Sequence, residues 1–227
     1  MTEAVTVPAL LQLMTWLSPA FPVGAFAYSH GLETAIQSQL ITDKSEAQDY
    51  LHDLIEHGSG WNDALLLAAA WRAVHHEQGG ELNAVNELAL ALCPGHERYL
   101  ETTLQGDAFL KAAKPWGADS VRVRLQAKDI AYPVAIGALA KSSGIGESAS
   151  VAAYLHGFCS NLVAVMMRLV PLGQSDGMAI MAHMSPHMED VAIRVTNSTL
   201  DDLGNVSFYA DFLAIAHEHQ ETRIFKS

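Results

Sequence analysis

The chain has 227 residues, half of them apolar and 17% charged, which is enough for one substantial core and too apolar for extended disorder. A formal charge of −12 argues against partners recognised by their phosphates, nucleic acid and anionic membrane alike, and favours a partner with a basic patch. The two cysteines, Cys93 and Cys159, lie far apart and outside any CxxC spacing, so they suggest neither a disulfide framework nor a cysteine zinc site, and a reducing cytoplasm fits them best.

Leu10, Leu11, Leu13, Met14 and Leu17 recur at mixed three and four spacing and predict a short helix over 8–17 with a broad apolar face. Pro19 and Pro22 end it, because they fix their own backbone and push Ser18 and Phe21 out of the helical region. From Ala4 to Leu32 there is no Asp, Glu, Lys or Arg. The prolines leave no unbroken apolar run long enough to span a membrane, and the basic start of an export signal is missing. A chargeless, aromatic, proline-stiffened ribbon over 17–34 therefore reads either as a buried connector or as a preorganised surface for another protein.

Further along, Ser29 is a cap for a second helix to about Leu40, and Thr42 and Asp43 are cap candidates for a third ending near Gly58. Trp61 to His76 is apolar on nearly every side, as in the centre of a bundle. Gly79-Gly80 and Pro94-Gly95 bracket a helix over Leu82 to Leu92, and His96 to Ala113 restores helical spacing. The stretch from Pro115 to Lys128 holds Val121-Arg122-Val123-Arg124-Leu125 in strict alternation, a short extended piece or a loop, within the one basic region of an acidic chain. Helical signals return over Ile130 to Lys141, over Glu147 to Val170, from an Asp176 cap to about Asn197, and over Phe208 to Ile224. The sum is a single all-α domain over 1–227, a bundle of roughly nine or ten helices.

The segment LLQLMTWLSPAFPVGAFAYSHGLE resembles the opening motif of the urease accessory protein F family, through Ser18, Pro19, Pro22, Val23, Gly24, Phe26, Tyr28, Ser29, His30, Gly31, Leu32 and Glu33. Arg168-Leu169-Val170-Pro171-Leu172-Gly173-Gln174 is similar to a second family stretch. The end of the chain, His217-Glu218 with Gln220, Arg223, Ile224, Phe225, Lys226 and Ser227, is similar to the family's tail, and Asp211 stands where an acid usually precedes it. Glu97-Arg98 with Gln105-Gly106 is a weaker patch between them. Ala131, His219 and Glu221 depart from the pattern, and no role is carried to Ala131.

The resemblance implies a cytoplasmic, homodimeric, non-enzymatic adaptor that assembles with the urease accessory D (or H) protein and the accessory GTPase G to insert nickel into apo-urease. It implies no tightly bound cofactor, nickel being handled by the complex. Partner contacts fall on Pro19, Pro22, Gly24, Phe26, Tyr28, His30 and Glu33 in the ribbon and on Gln220, Arg223, Phe225 and Lys226 in the tail, with the tail waiting for a partner to tie it down. The sequence agrees that GTP belongs to a partner, since it holds no GxxxxGK[ST] loop.

Four patterns invite chemistry. His183 and His187, one turn apart, are half of a metal site, the alternative being a direct nickel carrier, and Glu189 and Asp190 lie off their face. Met178, Met181, Met184 and Met188 form a stripe suited to core filling or to an adaptable interface. Arg122, Arg124 and Arg223 are the candidates for an arginine offered to a GTPase. Ser29-His30 lacks a neighbouring acid and reads as a core or interface pair, not a triad.

Overall fold

The computed structural model describes residues 5–74, 80–204, 208–218, 220 and 223–226. Within them the fold is an all-α bundle: α1 (Val7–Trp16), α2 (Leu32–Gln37), α3 (Lys44–His57), α4 (Ser59–Ala73), α5 (Gly80–Ala91), α6 (His96–Ala112), α7 (Ala118–Leu125), α8 (Tyr132–Ser142), α9 (Glu147–Leu169), α10 (Gln174–Thr196) and α11 (Phe208–His217). The Gly79 break, the extension of α4 to His76, the Asp211 side chain, His219, Glu221 and Ser227 lie outside the described residues.

Local rules place most boundaries. Thr6 caps α1 by accepting the Ala9 N–H, with Pro8 in the first turn, where its missing donor costs nothing. Asp43 caps α3 at 3.0 Å from the Glu46 nitrogen, while Glu46 reaches back to the Thr42 N–H at 2.7 Å. At the start of α10 the Gly173 N–H donates to Asp176, so the predicted acid works from inside the first turn. The far end of α10 is closed from another helix: Arg72 on α4 donates to the carbonyls of Val195, Thr196 and Ser198 and pairs with Glu147.

The centre is α4 against α8, with α9 and α10 alongside. Gly137 sets how closely α4 and α8 approach, since a Cβ there would stand 2.2 Å from the Leu67 carbonyl oxygen. α9 is long and apolar enough to cross a membrane, but half of its apolar window is buried within the bundle. Leu155, Leu162, Val163 and Met166 on it are core residues.

Three expectations are corrected. Residues 118–125 are helical: Val121 and Leu125, one turn apart, are buried, while Val123 between them is 72% exposed. The alternation concealed an i,i+4 pair, because Arg122 and Arg124 flank it wherever the backbone goes. Ser29 does not cap α2; Gly31, at φ 78°, holds that position, and the buried Ser29 hydroxyl has no hydrogen-bond partner among the described residues. α11 stops at His217, after which the chain leaves helical geometry for the course described below.

Candidate functional site: a ribbon joined to the tail

The two ends of the sequence meet. Lys226 donates its N–H to the Ala27 carbonyl at 2.6 Å and accepts the Ser29 N–H at 2.8 Å, an isolated parallel bridge centred on Tyr28. Its anchor is Glu33, on the first turn of α2 and 1% exposed. Its carboxylate accepts the N–H groups of Ile224 at 2.8 Å and Phe225 at 2.9 Å and lies 3.1 Å from His217 Nε2. The other His217 nitrogen lies 3.1 Å from Glu97 on α6, which also binds Arg223. Burial alone would raise the Glu33 pKa, but His217 and the two backbone donors outweigh it and hold the carboxyl below its usual range. Gln220 accepts from Thr34, and α11 presses on Gly31 so closely that a Cβ would stand 3.0 Å from the Ala214 nitrogen. The tail is thus docked on its own chain without a partner, because Glu33 supplies the acceptors that its backbone needs.

Beneath the ribbon lies a cavity of about 190 Å³, walled by Leu17, Phe26, Phe158 and Tyr154 and floored by charge. On the floor His30 Nε2 lies 3.0 Å from Glu101 Oε1, Arg98 donates to Glu101, and Gln105 donates to the same carboxylate at 2.9 Å. Tyr154 donates to Asp63 at 2.8 Å, and Arg98 lies 3.7 Å from that carboxylate. Burial opposes ionisation of Glu101, but Arg98 and His30 prevail and its pKa is lowered. For Asp63 burial outweighs Arg98 and Tyr154, and its pKa is raised. Two acids sharing one arginine are therefore driven apart, Glu101 being its main counter-ion. Burial also pushes the Cys93 thiol up to about 11 and Cys159 up to about 12, so both remain protonated.

His30 does have an acid, delivered by α6, and Ser59 Oγ approaches its other nitrogen at 3.4 Å. Ser59 does not line the cavity, and the Ser29 hydroxyl is buried with no hydrogen-bond partner, so neither serine is presented to a substrate there.

The ribbon and tail residues separate into two groups. Pro19, Pro22, Phe26, Arg223 and Lys226 are on the surface, Phe26 with 63% of its area exposed, and Gly24 turns the ribbon with φ 78° just before it. Tyr28, His30, Glu33 and Phe225 are buried and hold the others in place. Ile224, 73% exposed beside them, was read in sequence as part of the tail but not as a partner contact. Arg122 pairs with Asp107 at 2.6 Å and Arg124 donates to the Val74 carbonyl, so neither projects freely. Of the methionine stripe, Met184 and Met188 fill the core and Met178 is exposed.

Comparison with known proteins agrees from a different part of the chain. The UreF family profile matches residues 41–185, which excludes both the ribbon and the tail. Over 219 residues the chain is 47% identical to urease accessory protein UreF 1 of Brucella canis, covering 96% of this chain and 94% of that one. It is 46% identical to urease accessory protein UreF of Mesorhizobium japonicum over the full length of both. The chain belongs to the UreF family. In this UreF family member the profile-matched body carries Asp63, Arg98 and Glu101, while the ribbon before it covers that cluster and joins the tail through Glu33.

Proposed function

We propose that this UreF family member is a non-enzymatic adaptor in urease maturation, joining the accessory D/H protein and the accessory GTPase to nickel insertion into apo-urease. The observation that carries the reading is the joint platform of ribbon and tail: an exposed aromatic, two exposed prolines and the basic pair Arg223 and Lys226, held rigid by buried Glu33, Tyr28 and Phe225. A rigid, partly apolar surface loses little entropy when a partner covers it. Arg223 is held by Glu97 and Arg122 by Asp107, which favours action by orienting the GTPase over donation of an arginine to its site. For self-association, the outer face of α1 offers Val7, Leu10, Leu11 and Met14, all exposed.

The test is quantitative capture of the purified D/H protein by the intact chain and by Phe26→Ala. Phe26 is 63% exposed, so the variant keeps its melting temperature within about 1 °C and loses at least about tenfold in affinity, as a central aromatic anchor does. Unchanged capture by Phe26→Ala rejects this platform as the docking surface.

A further inference from the structure

The helix α3 carries His52 and Glu56 one turn apart, and α10 lays His187 against them. One ligand atom from each of the three lies within 4.8 Å of the other two, and all three side chains are half-buried. The His52 and His187 rings stand edge to face at 4.7 Å between centroids, and His183, one turn along α10, stands 5.4 Å from His187. The carboxylate that the sequence around His187 could not supply thus comes from a different helix.

We propose that His52, Glu56 and His187 form a binding site for a borderline divalent transition-metal cation that bridges α3 and α10. Two imidazoles and one carboxylate are a nitrogen-rich set suited to Zn²⁺, Ni²⁺, Co²⁺ or Cu²⁺, whereas Mg²⁺ and Ca²⁺ seek oxygen. Neither imidazole hydrogen-bonds to another described residue, so both are free to turn a nitrogen toward an ion. Glu56 is already oriented: Arg194 donates to it, is itself tied to Asp190 at 2.8 Å, and lies over the Trp61 ring. The guanidinium lowers affinity by its charge while fixing the carboxylate, which favours a reversible site over a structural one. Three ligands at a half-buried position leave room for water or for His183 as a fourth. The site is separate from the ribbon and tail and stands or falls independently of the adaptor reading.

Chelator-stripped, full-length protein titrated with Zn²⁺, Ni²⁺ and Co²⁺ by equilibrium dialysis tests it. The expected result is one saturable site per chain, weakened at least about tenfold by Glu56→Gln and about 100-fold or more by His52→Ala or His187→Ala. Saturating metal raises the melting temperature of the wild-type protein and leaves that of His52→Ala/His187→Ala unchanged. Metal-free melting curves of each variant separate lost ligation from lost folding, and an N/O-ligated Co²⁺ absorption spectrum that disappears with His187→Ala identifies the ligand directly. His183→Ala reads out whether a fourth protein ligand takes part. Wild-type stoichiometry and affinity in the folded double variant, or no saturable binding by the wild type up to about 1 mM metal, overturns the proposal.

Discussion

Glu33→Ala probes the joint between the two ends of the chain most directly. The substitution removes the acceptor of two backbone N–H groups, at 2.8 and 2.9 Å, and one of the two carboxylates facing the buried His217. A hydrogen bond to a charged acceptor contributes about 1.5–3 kcal/mol, so the two N–H bonds alone amount to about 3–6 kcal/mol. At about 1.4 kcal/mol per factor of ten, even the lower figure shifts the docked-to-released ratio of the tail about 100-fold. Hydrogen exchange resolves this: the Ile224 and Phe225 amides lose at least about 100-fold of their protection, while α4 and α8 retain theirs. On the adaptor proposal, capture of the D/H protein falls with it. Glu33→Gln, which keeps one acceptor oxygen, lies between. If tail protection is unchanged in the folded Glu33→Ala protein, the carboxylate does not hold the tail. The pH dependence has a definite sign. Because the Glu33 pKa is lowered in the folded state, its contribution is fully present above the ordinary carboxylate range and disappears as pH falls through the depressed folded value. Tail amides therefore lose protection in acid ahead of the core.

Other perturbations check the rest of the structure. Gly137→Ala pushes α4 from α8 and, at about 1–3 kcal/mol for an overpacked core, lowers the melting temperature by about 2–10 °C; calorimetry showing no decrease rejects the close contact. Val123→Asp leaves stability within about 0.5 kcal/mol, whereas Val121→Asp costs more than about 3 kcal/mol in denaturant titration; equal costs would restore an extended reading of this segment. Glu101→Gln strips the buried Arg98 of its main counter-ion and costs about 3–5 kcal/mol by the same titration, more than Asp63→Asn, and the reverse order contradicts the division of the arginine described above.

Helices were legible wherever apolar residues recurred on one face, as in α3 and α9, and wherever a capping acid stood at the start. α7 was not, because a basic residue on either side of Val123 imitates the period of a strand. That Pro19, Pro22 and Phe26 stand on the surface was one of the two readings the ribbon left open in sequence. The platform's architecture was not legible, since local pattern carries no information that Tyr28 would pair with Lys226 or that Glu33 would receive the N–H groups of Ile224 and Phe225. The buried ionic floor escaped for a similar reason: Asp63, Arg98 and Glu101 taken singly look like solvated charges. One signal was present. The patch Glu97-Arg98 followed by Gln105-Gly106 marks one stretch of α6, and Glu97, Arg98 and Gln105 all bind ribbon, tail or cavity floor. Likewise His187 had no carboxylate on its own face until packing brought His52 and Glu56 of α3 beside it.

The bridge at Tyr28 also has a consequence for how the protein is made. Glu33 and Ile224 are 191 positions apart, so a nascent chain carries the buried-to-be carboxylate without its donors until the residues between them have been made. Contacts of that sequence separation also carry a larger loop-closure cost than local ones. A chain that stops short of residue 223 lacks the two donors that Glu33 accepts, and its ribbon stays unclamped.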